Sequence, residues 1–475
     1  MATSNISLVL VGFLVSCFLV YSVKKGYAFE ERESLTHTFQ LSSLFASYVC
    51  NNSTKANERR STFKIVDKYG PCFQPNRHRA VSSFYTNIRR FDLARIKSIQ
   101  ARLSKDSGSR RGDMVEVKSA SIPVKDGLPF KTSNFVVVVG FGTPKKDLSL
   151  VLDTGSDMTW TQCQPCTTCY AQKEPMFDRT KSSTYVTIPK DHQFCKYVHR
   201  PGNVPPSAAS LCFYGIQYGD DSISTGFFSK ETLTLSSSDN INGFLFGCGT
   251  TQKGAFDLEA GIMGLSQENA SIVFQTAQKY NKIFSYCLPS SASVTGHLTF
   301  GSQSLPSNTK YTKLVTGKLP YYGLDLIGIG LAGKKLNIAE SVFTTPGTII
   351  DSGTVFTYLP PQAYPTFRSA FRQAMSAYPM AASRSDDDLD TCYDFSKSST
   401  VTVPEINFFF KDGTIVGMPG KSSLVTYAKT QVCLGFASYE PDDDETIIGN
   451  QVQRTMEIVY DVAGKRIGFA PNGCN

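Results

Sequence analysis

Along most of the chain, short apolar runs alternate with clusters of Gly, Ser and Asn, the pattern of strands joined by turns. Asn134–Phe141 (NFVVVVGF) reads as a buried strand closed by a Gly142-Thr143-Pro144 turn, and Leu148–Leu152 as a second strand. Two stretches carry helical spacing instead. Pro361–Tyr378 sets Tyr364, Phe367, Phe371, Ala374, Met375 and Tyr378 on one face behind Pro360-Pro361. Arg89–Lys105 places Phe91, Ala94, Ile96, Ile99 and Leu103 at roughly helical intervals with Arg and Lys between them. Residues 6–23 form an uncharged apolar run followed by Lys24-Lys25 and the small residues Gly26 and Ala28. It reads as a signal peptide over residues 1–28, with a membrane anchor as the alternative because the run is long and no Lys or Arg precedes it.

The body of the chain repeats itself. An apolar strand ending in Asp-Thr-Gly (Ser149–Gly155) recurs as Thr348–Gly353, ending in Asp-Ser-Gly. Downstream of the first comes Ala260–Leu265 (AGIMGL), and downstream of the second Thr446–Asn450 (TIIGN). A lone Asp-Thr/Ser-Gly is usually a turn after a strand. Two copies in one order, about a domain apart, predict two related lobes that each contribute a carboxyl. Two carboxyls in one low-dielectric cleft cannot both ionise easily, so they share a proton: one serves as base, the other as acid. Gly155 and Gly353 allow close backbone approach. Thr154 and Ser352 supply hydroxyls to tie the two loops, and Ser156 and Thr354 hydroxyls for the outer carboxylate oxygens.

Charge is unevenly spread. The formal net charge of +8 divides into +10 over residues 1–130 and −2 over residues 131–475. A basic front piece therefore precedes a slightly acidic body. It could bind nucleic acid, or lie as a detachable segment on an acidic site of its own chain; the second reading fits the carboxyl pair better. Of 13 Cys, ten lie in the body, which with an apolar leader suggests disulfides in an oxidising compartment. Cys163-x-x-Cys166-x-x-Cys169 has zinc-like spacing, but its near histidines, His192 and His199, sit in a loop-like stretch with no partner motif, so no metal is expected.

Asp153-Thr154-Gly155-Ser156 and Asp351-Ser352-Gly353-Thr354 resemble the two active-site motifs of the pepsin-like aspartic proteases, and the resemblance runs from about Asn134 to Asn475. It is nearest to a plant branch that includes the nepenthesins and the chloroplast nucleoid DNA-binding proteases. It implies an all-β, bilobal fold of two related β-barrel-like lobes with a few short helices and a central cleft: an N-terminal lobe over 131–315 and a C-terminal lobe over 316–475. It also implies an aspartic endopeptidase with Asp153 and Asp351 as its catalytic pair, no cofactor, and protein or peptide substrates. Trp160 stands where the family's flap-supporting Trp does, and Tyr214–Gly226 resembles the flap hairpin with Tyr218 as its tyrosine. Asp221 replaces the usual Gly or Ser at the flap tip.

The resemblance further implies that residues 29–130 are a propeptide inhibiting the same chain, since Thr62–Pro75 is similar to the propeptide motif of the branch, with maturation between Met114 and Asn134. It implies disulfides Cys392–Cys433, Cys248–Cys474, Cys163–Cys166 and Cys169–Cys212, leaving Cys195 without a partner and Cys287 as a position often unpaired. Asn269 is a glycosylation sequon in the body. A secreted or vacuolar monomer is expected. A non-catalytic binding protein on the same fold, like the xylanase-inhibitor relatives, is one alternative; those generally lack an intact pair. A plastid DNA-binding protease is another, but the acidic body and apolar leader fit it poorly, and no nucleic-acid partner is expected.

Overall fold

The structure is a computed structural model that describes residues 35–44, 50–51, 62–68, 70–73, 82–106, 135–198, 204, 206, 209–236, 239–302, 305–315, 320–345, 347–381, 389–426, 431–439 and 445–473. The leader, the expected maturation region and Cys474 lie outside these residues. The described elements belong to one unit, Thr36–Asn475.

Strands dominate, as the alternation predicts, and the architecture is bilobal and all-β. Phe135–Phe141 pairs antiparallel with Lys146–Asp153, the strand that delivers the first motif. Gly261–Gly264 runs parallel to that strand, with Gly264 opposite Asp153, and antiparallel to Trp160 and Thr161. The second half repeats the arrangement. Its motif strand Thr348–Ile350 runs parallel to Thr446–Ile448, which pairs antiparallel with Tyr358 of Thr357–Leu359. The sequence repeat is thus a repeat of topology. In each copy the apolar-apolar-Gly element lies beside the strand carrying the motif Asp.

The two halves share a sheet. Its strands run in the order Arg466–Ala470, Glu457–Asp461, Ile283–Cys287, Gly296–Phe300, Thr62–Asp67 and Phe135–Phe141. The fifth strand comes from the basic front piece and buries Phe63, Ile65 and Val66. Under the site, the Phe284 and Tyr460 rings stack with centroids 4.4 Å apart. The Tyr286 hydroxyl donates to Gln453, whose amide donates to the Ile448 carbonyl at 2.9 Å. This polar tie braces the second motif loop from below.

The helix predicted over Pro361–Tyr378 spans Tyr364–Ala374, with Tyr364, Phe367 and Phe371 buried. Ala374 is exposed, because the helix ends there and Met375 turns in as its cap. The helix predicted over Arg89–Lys105 is longer, Ser82–Asp106. Among its described side chains, Ile88, Asp92, Ile96, Ile99 and Leu103 are buried, a stripe that follows the helical repeat and includes a carboxylate.

Disulfide pairing corrects the expectation except at Cys392–Cys433, which bridges directly opposed residues of two antiparallel strands. Cys163 pairs with Cys248, not with Cys166: the strand Trp160–Gln164 runs parallel beside Gly247–Gly249, which brings the two cysteines to a Cα separation of 5.3 Å. Cys248 is therefore not bonded to Cys474. Cys166 and Cys169 close on each other in the loop that follows, and Cys195 takes Cys212, so neither Cys169–Cys212 nor a solitary Cys195 survives. Cys287 is also disulfide-bonded. Cys50–Cys72 lies within the front piece. With Cys163, Cys166 and Cys169 all in disulfides, that triplet holds no zinc.

Candidate active site

The two motif loops meet face to face. The Thr154 N–H donates to the Ser352 hydroxyl at 3.0 Å, and the Ser352 N–H donates to the Thr154 hydroxyl at 2.9 Å. These reciprocal bonds are fully buried and fix one loop against the other. Each carboxylate is then held by its own loop. Asp153 accepts from the Gly155 N–H at 3.0 Å and from the Ser156 hydroxyl. Asp351 accepts from the Gly353 N–H at 3.1 Å and from the Thr354 hydroxyl at 2.6 Å. Thr154 also donates to Asp351 at 3.3 Å, across the pseudo-symmetry. Space favours both glycines: a Cβ on Gly353 would clash with an Asp153 oxygen at 2.6 Å, and one on Gly155 would press on an Asp351 oxygen at 3.2 Å. The structure brings all six supporting residues named from sequence together around the two carboxylates.

Sequence reasoning missed the group between the carboxylates. Arg95, on the helix Ser82–Asp106 of the front piece, reaches both. Its Nη2 donates to Asp153 Oδ1 at 2.6 Å and to Asp351 Oδ1 at 2.9 Å, its Nε to Asp351 Oδ2 at 2.7 Å and its Nη1 to Asp153 Oδ2 at 3.2 Å. One planar fork therefore engages both carboxylates, a geometry that Arg provides and Lys does not. Burial alone would push the Asp351 carboxyl up, but Arg95, with help from Thr354 and Gly353, holds it below its ordinary value. Burial would likewise discharge Arg95; Asp153 and Asp351 keep it charged.

One helical turn before Arg95, buried Asp92 accepts from the Val355 N–H at 2.9 Å and the Phe356 N–H at 2.8 Å, in the chain leaving the second motif. Burial raises its carboxyl to about 7, with those two N–H groups and Arg95 pulling the other way. Arg102 pairs with Asp157 at 2.7 Å near the first motif. Contact between front piece and body is therefore made by strand pairing and a few placed side chains rather than by diffuse attraction of a +10 segment. The sequence signal for Asp92 and Arg95 was present only as their position inside a helical stretch.

The flap hairpin joins Phe213–Gln217 to Ile223–Ser236 antiparallel. The Trp160 indole N–H donates to the Tyr218 hydroxyl at 2.6 Å, tying the flap to the first lobe. The helix runs beneath the flap tip so closely that a Cβ on Gly219 would lie 2.5 Å from the Ala94 carbonyl oxygen. Asp221 has φ of 63°, the left-handed region that glycine favours and Asp tolerates, and its carboxylate accepts from Gln217 at 3.1 Å. Asn269 is exposed at a turn.

The chain is similar to known proteins over most of its length. Family models described as xylanase inhibitor N-terminal and xylanase inhibitor C-terminal match residues 135–302 and 321–471. An aspartyl protease family protein of Arabidopsis thaliana is 46% identical over 452 residues, covering 94% of each chain. The aspartic proteinase nepenthesin-2 of Nepenthes gracilis is 32% identical over 394 residues, covering 80% of this chain and 83% of its own. Among solved structures, edgp superposes with a TM-score of 0.59 at 18% identity, over 72% of this chain and 92% of that one, a likeness of fold. Two aligned carboxyl loops on this fold, and relatives matched over nearly their whole length, place the chain in the plant pepsin-like aspartic protease family.

Proposed function

We propose that the protein is an aspartic endopeptidase made as a zymogen, in which Arg95 occupies the reaction centre until the front piece leaves. The observation that carries this reading is the single guanidinium bonded to both Asp153 and Asp351. A site that sets two carboxylates on one nitrogen can equally set them on one water molecule. With the cation withdrawn, the pair holds one proton between them, since like charges this close cannot both persist. The ionised carboxylate takes a proton from the water as its oxygen bonds to the peptide carbonyl carbon. The other carboxyl gives its proton to the carbonyl oxygen. Return of a proton to the amide nitrogen then breaks the C–N bond and releases amine and acid. The Ser156 and Thr354 hydroxyls hold the outer oxygens, so that the inner pair faces the substrate. The flap, anchored through Tyr218 and Trp160, closes over an extended peptide and excludes water.

Acid releases the clamp because protonated carboxyls no longer attract Arg95. The described disulfides fit an oxidising compartment, which supports a secreted or vacuolar location, and the exposed Asn269 is open to a glycan. A non-catalytic binding protein is the second reading, favoured by the description of the matching family models. Casein digestion at acid pH by the full chain, with and without pepstatin, separates the two. The endopeptidase reading expects pepstatin-sensitive digestion that Asp153→Asn abolishes. A chain that leaves casein intact after its front piece is gone would overturn it.

A further inference from the structure

A second cation of the front piece enters the same cleft. Lys68, one residue beyond the strand Thr62–Asp67, sits with its Nζ 2.7 Å from Glu259 Oε2, and the two side chains are only 2% and 3% exposed. Glu259 belongs to the body, two residues before the strand Gly261–Gly264 that flanks the first motif strand. Its other oxygen accepts from the Asp257 N–H at 3.2 Å. Glu259 lines one pocket together with Asp153, Tyr218, Phe256 and Ile262. The neighbouring wall is aromatic: Tyr170 stacks on Phe256 at 5.0 Å, and Trp160 meets Phe256 edge-on at 5.3 Å. Nothing in the carboxyl-pair chemistry uses Glu259.

We propose that Glu259 is a specificity-determining residue, the acidic wall of a flap-side subsite that selects a Lys or Arg side chain of the peptide substrate. Lys68 fills that subsite in the unprocessed chain. This inference rests on the endopeptidase reading and deepens it. The pro-segment brings a cation to a buried carboxylate, and its departure leaves that carboxylate facing the cleft. A buried charge without a partner is costly, so a substrate that returns a cation to it gains binding that a neutral side chain of equal length does not. The aromatic walls suit the aliphatic stem and the charged head of such a side chain.

The test uses the full chain processed at acid pH and assayed at about pH 5, where an ordinary carboxylate is ionised. Peptides that differ only by Lys or norleucine, scanned through the four residues before the scissile bond, are compared. At one position the Lys peptide should exceed its norleucine twin about 10- to 100-fold in kcat/KM, mainly through KM. Glu259→Gln should bring that ratio near one, while Glu259→Asp, which keeps the charge, should keep most of it. Binding of the same labelled peptides, read by fluorescence polarisation, separates the two claims. A chain that cleaves neither peptide yet binds the Lys peptide about tenfold more tightly ends the peptidase reading and keeps the subsite. Equal binding and equal kcat/KM for Lys and norleucine at every position overturn the subsite, whatever the activity.

Discussion

Replacing Arg95 by Met removes one partner of a buried ionic cluster while keeping most of the length of the side chain. The Arg95 side chain is 20% exposed, and its carboxylate partners 3% and 1%, so solvent screening is weak. Breaking such a cluster from one side costs about 3–5 kcal/mol. At about 1.4 kcal/mol per factor of ten, docking of the helix Ser82–Asp106 should loosen by roughly two to three and a half orders of magnitude. The helix should nevertheless stay docked in most molecules at neutral pH. Ile88, Ile96, Ile99 and Leu103 remain buried, each stabilising by about 1.5–3 kcal/mol. Hydrogen exchange at about pH 7, resolved by peptide, should therefore show residues 88–103 exchanging about 10²- to 3 × 10³-fold faster in Arg95→Met. The strand Thr62–Asp67, held by its own sheet neighbours, should be unchanged. Arg95→Lys keeps the charge without the fork and should fall between. Acid adds a sign. Asp351 is depressed in the docked form, so its contribution is present above the ordinary carboxylate value and is lost as pH falls through the depressed one. Exchange in the wild-type helix should thus accelerate below about pH 4, and Arg95→Met should lack that step. Equal exchange in wild type and Arg95→Met at neutral pH would refute the reasoning.

Asp92 works in the opposite sense. Its docked value of about 7 lies above the ordinary 3.8, so docking takes up a proton between those values and is favoured by this group as pH falls across that window. Asp92→Asn cannot titrate, and its helix should dock more tightly than wild type at about pH 7, match it near about pH 4, and vary less with pH between, as read by the same exchange experiment. Thr154→Val leaves the Ser352 N–H without its acceptor in a fully buried position and should lower stability by about 1–3 kcal/mol in denaturant titration. It should also lower turnover, because the two loops lose half of their mutual tie.

The duplicated Asp-Thr/Ser-Gly was legible because the chemistry needs a fixed local order of residues: a strand to deliver the carboxyl, a glycine for close approach, a hydroxyl on each side. The apolar-apolar-Gly element downstream of each was legible for the same reason, since the parallel neighbour must be apolar and slim. Arg95 was not legible. It is one of 20 Lys and Arg in residues 1–130, and only the docking angle of the helix selects it. Asp92 was not legible either, because its partners are backbone N–H groups more than 260 positions away. The disulfides failed for a related reason. Cys163 and Cys248 meet through the parallel pairing of Trp160–Gln164 with Gly247–Gly249, a long-range register that cysteine spacing does not carry. Cys392–Cys433, carried over from the family resemblance, is the one proposed pairing that coincides with a direct cross-strand pair.

The most direct measurement is the pH dependence of kcat/KM for a quenched peptide, taken on the acid-processed chain and on its Asp153→Asn and Asp351→Asn variants. A shared proton between two carboxyls predicts an acidic bell that falls away before neutrality, and no measurable turnover in either variant. Full activity above about pH 8, or a single-Asp variant that retains the wild-type profile, would contradict it.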